Sequence, residues 1–144
     1  VGFGVAEPEL ILRLEASRQP WSVNILAQIA AEAALADNQY LNTSRELIKR
    51  EKDYLYQGLA NLAGFQPFYP EVNFILTDIS ASGLEVSHLS EALSREKILI
   101  RDCSSFMSLG STYFRTAVRD RKANNKLLTA LRETLPAVDL YRPR

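Results

Sequence analysis

Apolar residues recur at helical spacing through the first 62 positions and give way to short β-prone runs beyond Gly64. Pro8 suits a first helical turn, and Leu10, Ile11 and Leu14 follow at that spacing until the Arg18-Gln-Pro20 break, which predicts a short helix. Ser22 is placed to cap the next helix, whose Ile25, Leu26, Ile29, Ala30 and Ala33 make a broad apolar face ending near Asp37. Thr43-Ser-Arg-Glu46 has the form of a capping box. It would open a long amphipathic helix through Leu47, Ile48, Tyr54, Leu55, Leu59 and Leu62, stopped by Gly64.

Asn73-Phe-Ile-Leu-Thr-Asp78 is short, apolar and bounded by turn formers, so it predicts a strand. A second capping box, Ser82-Gly-Leu-Glu85, predicts a helix with Val86, Leu89 and Leu93 as its buried stripe. Residues 98–102 and 112–118 predict two further strands. Asp120 is placed to cap a last helix carrying Leu127, Leu128, Leu131 and Leu135 before Pro136. Two or three N-terminal helices followed by β-α-β-β-α give an α+β class, a small mainly antiparallel sheet packed against helices, in one domain spanning 1–144.

Composition narrows the functions open to such a domain. Seventeen basic and seventeen acidic side chains leave no net charge, and no stretch concentrates Lys and Arg as phosphate-backbone binding requires, so nucleic acid is not an expected partner. The most apolar stretch, 25–36, is interrupted by Gln28 and Glu32, and no membrane span is expected. The single cysteine, Cys103, has no internal disulfide partner, which fits a reducing, cytoplasmic setting. The single histidine, His88, falls on a solvated helix side, and no Cys/His cluster or HExxH spacing supports a metal. Gly2-Phe-Gly4 opens toward a helix, but Glu7 stands where the third glycine of a dinucleotide motif belongs. The opening Val1-Gly-Phe-Gly-Val-Ala reads as the end of a strand whose sheet lies elsewhere, and so as part of something longer.

The chemistry the sequence does offer lies in Arg101 and Arg115, each within a β-prone segment and joined by the small-residue loop 104–112. A guanidinium on a strand presents a planar fork of five donors that calls for a carboxylate or phosphate. Two forks on neighbouring strands suggest an anion pocket. Either arginine pairing with an acidic side chain of this chain, or reaching from the sheet edge to water, is the competing reading. The hydroxyl-rich loop offers backbone amides for an anion and is equally an ordinary hairpin connection.

Four segments, Arg18-Gln-Pro-Trp-Ser-Val-Asn24, Glu71-Val-Asn-Phe-Ile-Leu76, Ile98-Leu-Ile-Arg-Asp-Cys-Ser104 and Tyr113-Phe-Arg-Thr-Ala-Val-Arg119, are similar in this order to the C-terminal part of the fold-type I pyridoxal-phosphate enzymes. They resemble the branch holding threonine-phosphate decarboxylase and histidinol-phosphate aminotransferase, with Pro-Trp-Ser-Val-Asn and Ile-Arg-Asp-Cys-Ser closer to the decarboxylase of cobalamin biosynthesis. The resemblance implies a small substrate-clamping domain, with residues 1–20 a remnant and linker from a PLP-binding large domain. It implies that Arg115 grips the substrate's anionic group, that Arg101 serves the phosphate end of a phosphorylated amino acid, and that Asn24 is a further substrate contact.

The resemblance further implies a homodimeric enzyme that holds pyridoxal phosphate when complete. The Schiff-base lysine of the Ser-x-x-Lys segment and the ring-binding tyrosine, asparagine and aspartate would lie upstream of Val1. No catalytic or cofactor-binding residue is therefore expected in this chain, no cofactor is expected on it alone, and the fragment is expected to be inactive. Lys49, Lys52, Lys97, Lys122 and Lys126 read as surface. Ser105-Phe-Met-Ser108 departs from the Asn-Phe-Arg/Glu-Gly pattern of the branch, which leaves decarboxylation of a phosphorylated amino acid and transamination of histidinol phosphate or another amino acid both open. A non-catalytic binding module on the same scaffold is the reading from a different class.

Overall fold

The computed structural model describes residues 1–135, and Pro136 lies outside them. The chain divides into two compact units, Val1–Thr43 and Ser44–Arg144.

In the first unit, helix α1 (Pro8–Ser17) starts on its proline and ends where Arg18 turns extended ahead of Pro20. Residues 1–7 adopt no strand. Helix α2 (Ile25–Ala36) is capped by Asn24 and not by Ser22: the Asn24 Oδ1 accepts from the Ala27 amide at 2.8 Å. Helix α3 (Asn38–Ala60) likewise starts before the expected box at 43–46. Asp37 Oδ1 accepts from the Tyr40 amide at 2.8 Å, so Thr43 and Glu46 lie inside the helix, where the first-turn amides are already served.

In the second unit a four-stranded sheet of order β1-β2-β4-β3 is antiparallel throughout. Its strands are β1 (Gln66–Pro67), β2 (Phe74–Asp78), β3 (Arg101–Asp102) and β4 (Tyr113–Ala117). β1 is an addition to the expected order, and β3 is shorter than the expected 98–102. Helix α4 (Val86–Arg95) buries Val86, Leu89 and Leu93 as its stripe predicts. Its expected box does not form. A 3₁₀ turn over Ser80–Ser82 uses the Ser82 hydroxyl as a donor to the Ile79 carbonyl at 2.7 Å, and Glu85 makes no capping bond. Helix α5 (Arg121–Thr134) is capped by Asp120 through the Ala123 amide at 2.8 Å, as expected.

The helices cover one face of the sheet. Ile75 and Phe114 point into that face and join Leu55 and Leu59 of α3, Leu89 and Leu93 of α4, and Leu127, Leu128 and Leu131 of α5 in one buried cluster. Gly58 lets α3 approach α5, because a Cβ there would overlap the Leu128 side chain. Gly64 has φ 79° and faces the 3₁₀ turn so closely that a Cβ would lie 2.5 Å from the Ser82 nitrogen. Only glycine fits both the backbone and the space. The opposite face of the sheet remains uncovered within this unit, and it is there that the arginines stand.

Candidate anion-binding site

Side chains on β4 alternate between the two faces. Phe114 and Thr116 are buried, while Tyr113 and Arg115 are half-buried on the uncovered side. β2 follows the same rule, with Ile75 and Thr77 buried and Phe74, Leu76 and Asp78 on the uncovered side. The register places Leu76 opposite Arg115 on one flank and Arg101 of β3 opposite it on the other. The two arginines predicted from sequence are therefore direct cross-strand neighbours. With Asn73, Phe74, Leu99 and Ala117 they line an open groove of about 300 Å³.

Like charges directly opposed on a sheet repel. No acid makes a contact ion pair with them: among the described residues, the ion pairs are Arg18–Glu15, Arg50–Glu51, Arg95–Glu91 and Arg121–Glu51, and neither Arg101 nor Arg115 takes part. Aromatic rings hold them instead. The Arg115 guanidinium carbon lies 4.3 Å from the centroid of the Phe74 ring, and that of Arg101 lies 5.7 Å from Phe106. The result is two adjacent cations whose hydrogen-bonding edges are unclaimed by acids, which is a receptor for a carboxylate or phosphate.

The carboxylates of the neighbouring strand positions, Asp78 on this face and Asp102 beside Arg101, are hydrogen-bonded by other groups. Burial would raise the Asp78 pKa, but hydrogen bonds from the Ser80 amide and the Tyr113 hydroxyl outweigh it and hold the carboxyl below its usual range. Tyr113 is opposite Asp78 in register, is raised by the bond it donates, and stacks on Phe68 at 6.5 Å. Asp102, opposite Phe114 and so on the other face, accepts from the Ser104 amide at 2.8 Å, which keeps its pKa low, with the charge of Arg101 a smaller contribution. The loop after β3 spends several of its amides on its own turns: Phe106 bonds the Cys103 carbonyl at 3.0 Å, and Leu109 bonds the Phe106 carbonyl at 3.1 Å. It behaves as a connection, with Ser108 at φ 73°.

Cys103 is buried, and burial pushes its thiol up, with Arg115 and Arg101 only partly opposing the shift. A thiol so placed is a packing group. His88 is exposed on α4. Asn24 is part of the first unit, where its side-chain oxygen is engaged in the α2 cap. Phe74 and Phe106 are the site residues that sequence reasoning did not single out. Both stood within the segments considered, and the period-2 pattern put Phe74 on a face without saying what stood across from it.

Four of the five lysines lie at the surface, and Lys52 is half-buried. Lys49, Lys97, Lys122 and Lys126 are exposed, Lys126 donating to the Glu96 carbonyl. Lys52 donates to the Pro70 carbonyl at 2.9 Å and lies over the Tyr69 ring at 4.8 Å. Among the described residues no group of three or more His, Cys, Asp or Glu side chains is arranged to hold a metal ion, and no helix is long and apolar enough to cross a membrane.

The family model "Aminotransferase class I and II" matches residues 1–131. The chain is 33% identical over 135 residues to histidinol-phosphate aminotransferase of Methanopyrus kandleri, covering 94% of this chain and 34% of that protein. It is 32% identical over 126 residues to threonine-phosphate decarboxylase of Salmonella typhimurium, covering 88% of this chain and 34% of that protein. The crystal structure of histidinol-phosphate aminotransferase from Clostridium acetobutylicum superposes with a TM-score of 0.80 at 31% identity, over 87% of this chain and 37% of that one. The chain thus spans about a third of the length of these relatives.

Proposed function

The chain belongs to the aminotransferase class I and II family, and we propose that within it the chain is the small substrate-clamping domain of a pyridoxal-phosphate enzyme acting on a phosphorylated amino acid. The observation that carries this reading is the direct opposition of Arg101 and Arg115 with no acid of the described chain on either. A large domain supplies the lysine and the cofactor, which when bound stabilises negative charge at the substrate's α-carbon. This chain's part is to bind and orient. Arg115 takes the substrate's carboxylate or phosphate in a two-pronged bond, and Arg101 adds charge and donors for a phosphate end. By the same resemblance, Asn24 is a substrate contact of the complete enzyme.

Decarboxylation of threonine phosphate in cobalamin biosynthesis is the preferred chemistry, supported by the Pro-Trp-Ser-Val-Asn and Ile-Arg-Asp-Cys-Ser segments and the Salmonella relative. Transamination of histidinol phosphate is the second reading, favoured by the similarity to the Methanopyrus and Clostridium enzymes. The complete protein is expected to be a cytoplasmic homodimer, and this chain alone to be inactive.

The test is substitution in the complete enzyme. Arg115→Lys keeps charge but loses the fork, and is expected to lower kcat/KM by about 2–3 kcal/mol in transition-state binding, the range for hydrogen bonds to charged groups. Arg101→Lys should hurt a phosphorylated substrate more than its unphosphorylated analogue. Equal losses on both would remove the phosphate role from Arg101.

A further inference from the structure

Two arginines of this unit lie close over aromatic rings, and the contrast between them is informative. Arg121 lies over Tyr54 with its guanidinium carbon 3.6 Å from the ring centroid, and its edge is spent: Nε and Nη2 donate to the two Glu51 oxygens at 2.9 and 3.3 Å. Arg115 lies over Phe74 at 4.3 Å, and no carboxylate of the described chain occupies its edge. A guanidinium directs all five N–H bonds within its plane, while a ring engages only its face. A carboxylate that fixed Arg115 would use the very donors a ligand needs. A phenyl ring fixes the plane and leaves them unspent.

Phe74 is built for that task. It stands on β2 opposite Ala117, two residues beyond Arg115 on β4, so it meets Arg115 diagonally across the ladder. Alanine at 117 leaves the ring and the guanidinium room to stack. Both partners lie on the two central strands of the sheet. Arg101 is held differently: its ring, Phe106, is farther away and lies in a loop whose next residue, Met107, is 95% exposed.

We infer that Phe74 is a positioning residue that fixes the guanidinium plane of Arg115 for anion capture, while Arg101 is left adjustable. This rests on the reading of Arg115 as the substrate-anion contact. Because a stacked arginine is pre-set, less side-chain freedom is lost when the ligand arrives. The contribution is to binding in both ground and transition states, so it belongs to KM.

The experiment has two arms. In this chain, labelled with ¹⁵N, the Arg115 Nε–H resonance is expected to move when Phe74→Leu removes the ring current, while that of Arg121, over Tyr54, stays in place. In the complete enzyme, Phe74→Leu is expected to raise KM for the anionic substrate about fivefold, the size of one exposed cation–π contact, with kcat within twofold. Phe74→Tyr, which keeps the ring, restores KM. An Arg115 resonance unmoved by Phe74→Leu overturns the seat itself. A moved resonance with unchanged KM overturns the positioning role. If Arg115→Lys also leaves KM unchanged, the fault lies in the reading of Arg115 and not in its seat.

Discussion

Thr77 is fully buried on β2, paired with Phe114 on one side and Pro67 on the other, and its hydroxyl finds no partner among the described residues. The residue suits the strand by its β-branch, but the buried hydroxyl is a cost without a return. Thr77→Val keeps shape and branching and removes the orphaned group. It is expected to stabilise the chain by about 1 kcal/mol, read as a higher denaturant midpoint at unchanged slope. A lower midpoint would show that the hydroxyl is satisfied in solution. Thr77 points with Ile75 and Phe114 into the helix-covered face, so this change leaves Arg115 untouched on the opposite side of the sheet.

At the scale of elements, α3 and α5 are joined by a charge as well as by leucines. Glu51 is 1% exposed, yet it is ionised among Arg121, Arg50 and the buried amide of Asn124, and its bond from Arg121 holds its pKa below the usual carboxylate value against the opposing effect of burial. Asn124 in turn closes the β4–α5 turn, donating to the Arg119 carbonyl at 2.8 Å and accepting from the Arg119 amide at 3.0 Å. A folded pKa below the unfolded one means that this stabilisation is present above the unfolded value of about 4.3 and fades as pH falls through the lower folded value. Glu51→Gln is expected to cost about 2 kcal/mol at neutral pH, with part retained because glutamine still accepts a hydrogen bond. The variant should also lose less stability than the parent as pH falls below the unfolded carboxylate value of about 4.3. Identical acid profiles for the two would remove Glu51 from the linkage.

The same elements show what a single sequence carries and what it withholds. Periodicity revealed the α4 stripe and the inward leucines of α5, because burial of one helix face is written into every third or fourth residue. The Asp120 cap was equally plain. The boxes at 43–46 and 82–85 were misleading, since Asp37 and the Ser80–Ser82 turn claim the chain first. β1 has two residues, one of them proline, and exists through its pairing with β2 alone. For the site, strand alternation exposed Arg101 and Arg115 as two donors on β-prone runs. Their opposition and the Phe74 ring beneath Arg115 depend on register, a tertiary relation that no local pattern states.

For the molecule as a whole, burial is distributed very unevenly. Neither α1 nor α2 contains a buried residue, and Phe3, Val5, Leu12, Trp21, Ile25 and Leu26 are all exposed. Helices of 10 and 12 residues are marginal in water without a packed face. The sheet and its helices, by contrast, enclose a continuous cluster from Leu55 to Leu131. Amides of α1 and α2 are therefore expected to exchange in this chain with little protection, while those of Ile75, Phe114 and Leu128 exchange only on global opening. Apolar patches of this extent also favour association, so protection of α2 should rise with protein concentration. In the complete enzyme, α2 should be protected at every concentration. Hydrogen exchange followed by mass spectrometry at two concentrations separates the cases. Protection of α2 equal to that of Phe114 in a dilute monomer would show that the first unit is stable by itself, contrary to what its exposed leucines and isoleucines imply.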